Sequence, residues 1–143
     1  MNSKECALLI MHCQNDIVHP DGLYSHSGVY KQIEANRTLN IISDLADFCR
    51  KAGMLVIYIN NEFKEGYPEL GEANLPICID SRNANAFLAG TWGAANPEII
   101  QPKEKDLVIK NVNTIESNSS LPIILNLSCK VSMVSESKIL VSR

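Results

Sequence analysis

Two short apolar runs separated by one long amphipathic stretch limit the folds open to this chain more than any other feature. The runs CALLIM (6–11) and MLVIYI (54–59) have strand length and no polar alternation, which is the pattern of strands buried on both faces of a parallel sheet. Between them Val29, Ile33, Leu39, Ile42, Leu45, Ala46 and Cys49 mostly fall three, four or seven apart. That spacing predicts one helix over 29–52, with Gly53 as its stop. Parallel strands need a crossover connection, so strand, helix and strand at this spacing make a βαβ unit.

The rest of the chain extends that unit. The stretch 62–93 has no sustained period and many Gly and Pro residues, and it is expected to be a long loop with one helical turn. Asn96-Pro-Glu98 is expected to open a short helix with Asn96 as its cap, and Pro102 to close it. The run DLVIK (106–110) predicts a third buried strand with charged ends, SLPIILNL (120–127) a helix start, and 131–134 a further strand. These elements predict an α/β fold: three layers, α/β/α, around a mostly parallel, Rossmann-like sheet. Loops after parallel strands are where sites usually sit.

Composition removes several classes of function. The chain has 143 residues, enough for one ordinary domain over 1–143. Thirteen Lys and Arg against 16 Asp and Glu give a net charge of -3, the wrong sign for a protein whose main partner is nucleic acid. The first apolar run, 7–11, is too short for a signal-peptide core or a membrane span. No membrane partner and a cytoplasmic location are expected. The five cysteines (Cys6, Cys13, Cys49, Cys78, Cys129) show no CxxC spacing, so neither a disulfide framework nor a structural zinc site is indicated. His19 and His26 also lack ligand spacing.

Taken in order, ALLIMHCQND (7–16), HPDG (19–22), VIYI (56–59), GTWGA (90–94), Pro102, DLVIK (106–110) and LPIIL (121–125) resemble the isochorismatase-like cysteine hydrolase superfamily. That group includes nicotinamidases, carbamoylsarcosine-type amidohydrolases and isochorismatases. The resemblance covers about residues 5–127. It implies a hydrolase of amide or vinyl-ether bonds in small metabolites, with no cofactor, a small-molecule substrate and a homo-oligomeric state.

The family's chemistry uses an Asp after the first strand, a Lys after the third and a nucleophilic Cys at a later helix start. A base, a cation and a helix N-terminus together favour the thiolate. The resemblance places Lys110 at the lysine position and His12 at the Asp position. An imidazole there accepts a proton but carries no negative charge to offset Lys110, and the two repel when His12 is protonated. Cys13 adjoins His12, but neighbours on a strand point to opposite faces. Asp16 is expected to tie down its loop through backbone hydrogen bonds. Asn60 and Trp92 are the candidate substrate contacts, with packing the alternative role for Trp92.

Some members hold a metal through an Asp-x-His segment after the second strand, but here that place reads Asn60-Asn-Glu62, a poor ligand set, so no metal is expected. Nothing after Leu127 resembles the family's Gly-x-x-Thr-x-x-Cys segment. Cys129 precedes the strand at 131–134, which is expected to leave it at the sheet edge opposite Lys110. Negligible turnover is therefore expected. The alternative function is a non-catalytic binding or oligomerisation protein, or a truncated pseudoenzyme, derived from that family.

Overall fold

The computed structural model describes residues 6–72, 75–111 and 130–135. Strands β1 (Cys6–Met11), β2 (Leu55–Asn61) and β3 (Leu107–Asn111) run parallel, and β4 (Lys130–Ser135) lies antiparallel beside β1. The sheet order is β3-β2-β1-β4. Among the described residues four helices accompany it: α1 (Asn15–Val18), α2 (Val29–Ala35), α3 (Thr38–Lys51) and α4 (Pro76–Ala84). The expected α/β class and largely parallel sheet are what the structure has. The helix expected at 120–127 lies outside the described residues.

The βαβ unit forms as expected, with one difference in its helix. Arg37 adopts a left-handed conformation (φ 52°), which divides the stretch into α2 and α3. From Ile33 to Leu39 is six residues, about 240° around a helix, so one straight helix could not aim both at the sheet. The break resets the phase. In α3, Ile42, Ala46 and Cys49 are buried in one core cluster with Leu8 and Ile10 of β1 and Val56 and Tyr58 of β2. Gly53, at φ 72°, ends α3 as expected, and the Met54 N–H donates to the Cys49 carbonyl at 2.9 Å.

Burial alternates along β1. Cys6, Leu8 and Ile10 are buried beneath α3, while Ala7, Leu9 and Met11 on the other face are half-buried. The expectation that β1 is buried on both faces is thus met on one. β3 corrects the expectation further: Leu107, Val108 and Ile109 are 49, 46 and 48% exposed. The reason is position, since β3 is the edge of the sheet and α3 packs over β1 and β2. An apolar run reads the same in a central strand and in an uncovered edge strand.

The stretch 62–93 holds more helix than one turn, with a 3-10 turn at Pro68–Leu70 and the nine-residue α4. Pro76 opens α4 at a position where its missing N–H costs nothing. A 3-10 turn, Glu98–Ile100, stands where a short helix was expected, but Asn96 does not cap it. Its side chain is used elsewhere, as described below.

Candidate functional site

Beyond Met11 the chain leaves the sheet sharply. His12 is left-handed (φ 56°), and its N–H donates to the Ile59 carbonyl at 2.8 Å. Three consecutive polar residues then grip two distant segments. Gln14 is fully buried, and its Nε2 donates to the carbonyls of Asn61 and Ala94, both at 2.7 Å. Its Oε1 accepts the Asn61 N–H at 2.8 Å. Asn15 Nδ2 donates to the Trp92 carbonyl at 2.8 Å, and the Asn15 N–H to the Ala95 carbonyl at 2.9 Å. Asp16 accepts the Phe87 N–H at 2.8 Å and donates its own N–H to the Gly93 carbonyl at 3.0 Å.

These bonds fasten the loop 87–96 to the carboxyl ends of β1 and β2, because buried amides and carboxylates must find partners. Asp16 therefore organises a loop, as expected. Burial raises its pKa, while hydrogen bonds from the Phe87 and Leu23 backbone work against that shift. The close packing also explains two glycines. A Cβ at Gly93 would lie 2.2 Å from the Asp16 Oδ1, and one at Gly22 would lie 2.2 Å from the Asn15 carbonyl oxygen.

The fastened loop and the end of β2 border an open cavity of about 400 Å³, lined by Asn60, Glu62, Gly90, Thr91, Ala94, Ala95, Asn96, Gln101 and Pro102. Asn60 Nδ2 donates to Asn96 Oδ1 at 2.6 Å, and Asn96 Nδ2 donates to the Cys13 carbonyl at 2.8 Å. Lys110 stands opposite Asn60 in the β2–β3 register. Its ammonium donates to Glu62 Oε1 at 2.6 Å, with the two side chains 60% and 23% exposed respectively. A second cavity of about 440 Å³ opens beside Gly53, Leu55 and Lys105. That is the amino edge of the parallel strands, away from where open α/β sheets bind ligands.

Of the four candidate site residues, Asn60 lines this cavity, and Lys110, beside it in the strand register, bonds the lining residue Glu62 without lining the cavity itself. His12 lies one strand over, past the end of β1. Trp92 is half exposed and packs edge-on against His19, ring centroids 4.9 Å apart, and it is not among the cavity's lining residues. Sequence reading missed Glu62, Asn96, Thr91 and Gln101. For Glu62 a signal exists, an acidic residue just past a strand end, although the resemblance points there only to a metal ligand. For Asn96 there was none, since its partners are 36 and 83 residues away.

Cys6, Cys13, Cys49 and Cys78 are all buried, and none lines the cavity. Burial pushes the Cys49 thiol up. Cys129 lies outside the described residues. The neighbouring strand β4 runs antiparallel, with Lys130 opposite Met11. Its first residue is therefore at the carboxyl edge, and the expectation that this strand begins at the far edge from Lys110 does not hold. Among the described residues no group of three or more His, Cys, Asp or Glu could hold a metal ion. No helix among them is long and apolar enough to cross a membrane.

A largely parallel sheet with helices and a polar cavity at its carboxyl edge defines the class, an α/β domain. The isochorismatase domain family matches residues 6–129, and the chain belongs to that family. Among solved structures, the "putative isochorismatase hydrolase" from Oleispira antarctica is similar at 21% identity with a TM-score of 0.37, over 71% of this chain and 43% of that one. The chain thus spans less than half the length of that protein. No curated protein matches it.

Proposed function

We propose that the chain works with the hydrolases of its family, taking a small metabolite with an amide or vinyl-ether bond into the carboxyl-edge cavity. One observation carries this reading. The end of β2 and a tightly fastened loop converge on a pocket of small-molecule size, about 400 Å³, lined by paired amides and by Glu62, which Lys110 of β3 bonds from outside the lining. Lys110, which the resemblance places as the supporting lysine, reaches the residue lining that pocket. The proposed setting is the cytoplasm. The proposed assembly is a homo-oligomer, supported by the exposed apolar residues of β3.

A second, non-catalytic reading has an observation of its own: no cysteine among the described residues lines the cavity. On that reading the family pocket binds its ligand without cleaving it. Incubating the full chain with a panel of small primary amides and vinyl ethers, following both binding and product release, separates the two. Turnover that Lys110→Ala abolishes supports the hydrolase, and turnover surviving Cys129→Ala would exclude that cysteine as nucleophile. Saturable binding without product supports the second reading. Neither binding nor turnover across the panel defeats both.

A further inference from the structure

We infer that an open cavity at the junction of α2 and α3 is a separate small-molecule site, taking a free α-amino acid with an aliphatic side chain. The cavity measures about 220 Å³, below the ~300 Å³ at which sites for drug-sized ligands begin. It shares no lining residue with the cavity at the carboxyl edge. The first support is its apolar wall. Val18 at the end of α1, Ile33 of α2 and Leu39 of α3 line it, the first two buried and the third half-buried. Ile99 adds an apolar side chain that is 45% exposed. Apolar surface that three helices present to one opening gains by taking a short hydrocarbon chain out of water.

The second support is charge. Glu34 and Arg37 line the same cavity, and among the described residues neither side chain forms an ion pair. They are three residues apart, a spacing at which Arg50 closes on Asp47 at 2.7 Å inside α3. Between Glu34 and Arg37 the left-handed backbone of Arg37 (φ 52°) ends that helical phase and keeps the two charges separate. A glycine would make the same break without strain, so the break alone does not call for arginine.

Two opposite charges beside an apolar wall select the ligand. A simple carboxylate attracted to Arg37 is repelled by Glu34, and a simple amine meets the converse. A zwitterion satisfies both, its carboxylate on the Arg37 guanidinium and its ammonium on the Glu34 carboxylate, with its side chain against Val18, Ile33 and Leu39. The site also carries its own reporter. His19 lines the cavity and packs edge-on against Trp92, ring centroids 4.9 Å apart, and Trp92 is the one tryptophan of the chain.

The test titrates free leucine into the full chain at low ionic strength, followed by Trp92 fluorescence and by NMR. Isocaproate lacks the ammonium, isoamylamine lacks the carboxylate, and free glycine lacks the side chain. Leucine is expected to change the fluorescence saturably, to shift the amide signals of Val18, Ile33 and Leu39, and to bind at least fivefold more tightly than any of the three. Arg37→Gly and Glu34→Gln should each weaken leucine at least fivefold, with the melting temperature of Arg37→Gly unchanged or raised because the left-handed strain is relieved. Isocaproate or isoamylamine binding as tightly as leucine overturns the zwitterion class, and free glycine doing so overturns the role of the apolar wall. Leucine binding undiminished in the two folded variants overturns the charge pairing. Shifts that map to Asn60 and Asn96 instead, or no leucine binding by either readout, overturn the site.

Discussion

Asp16 shows how a single carboxylate can be structural in a site-forming segment. It is buried, it accepts a backbone N–H from Phe87, and it fills the space that a side chain at Gly93 would need. Burial raises its folded pKa above the ordinary 3.8. A carboxyl with a raised folded pKa binds more protons in the native than in the unfolded state between the two values, so stability falls as pH rises through that window. Asp16→Asn keeps an acceptor for the Phe87 N–H but does not ionise. Urea unfolding from pH 3 upward should therefore show wild type losing stability relative to the variant as pH rises through and above 3.8. A constant difference across that range would mean that Asp16 ionisation carries no cost in the fold. At this scale the sequence made the role of Asp16 legible, because Asp in a polar turn has few options. It did not reveal the partners, since QND and GTWG read as two separate motifs and fold as one knot.

Among the elements, local periodicity was readable and position within the sheet was not. β1, β2, α3 and its Gly53 stop follow from apolar spacing within a few residues. The exposure of β3 and the antiparallel run of β4 depend on neighbours that no short window contains. What seats β3 is an ion-pair network at its amino end. Arg50 of α3 bonds Asp106 through Nε at 3.1 Å and Nη2 at 2.5 Å, and bonds Asp47 through Nη1 at 2.7 Å. Lys103 joins through its backbone N–H to Asp106 at 2.8 Å. The Asp106 side chain is only 2% exposed, so removing the guanidinium leaves a buried charge without its counter-ion. Arg50→Ala is expected to destabilise the chain by about 3 kcal/mol, read as a drop in the urea midpoint. Asp47→Ala, at the more exposed end of the network, should cost much less, because solvent screens that pair. Equal losses in the two variants would contradict this division.

At the scale of the whole molecule, the buried layer between α3 and one face of the sheet contrasts with the edge at β3. Among the described residues β3 pairs only with β2, and three consecutive apolar residues there are about half exposed. An edge strand offers a row of backbone donors and acceptors as well as side chains, and natural edges are usually blunted by charge, proline or a covering element. The segment 107–109 has no charge or proline. Association of two copies through this edge is the expected consequence and gives the proposed homo-oligomer a location. Val108→Lys places a charge in the middle of the strand at a position already 46% exposed, so it should leave the melting temperature nearly unchanged. It should also shift the mass measured by light scattering toward the monomer at micromolar concentration. Assembly unaffected by that lysine would move the contact to another surface, because a like charge on each of two paired edges cannot be accommodated without loss of affinity.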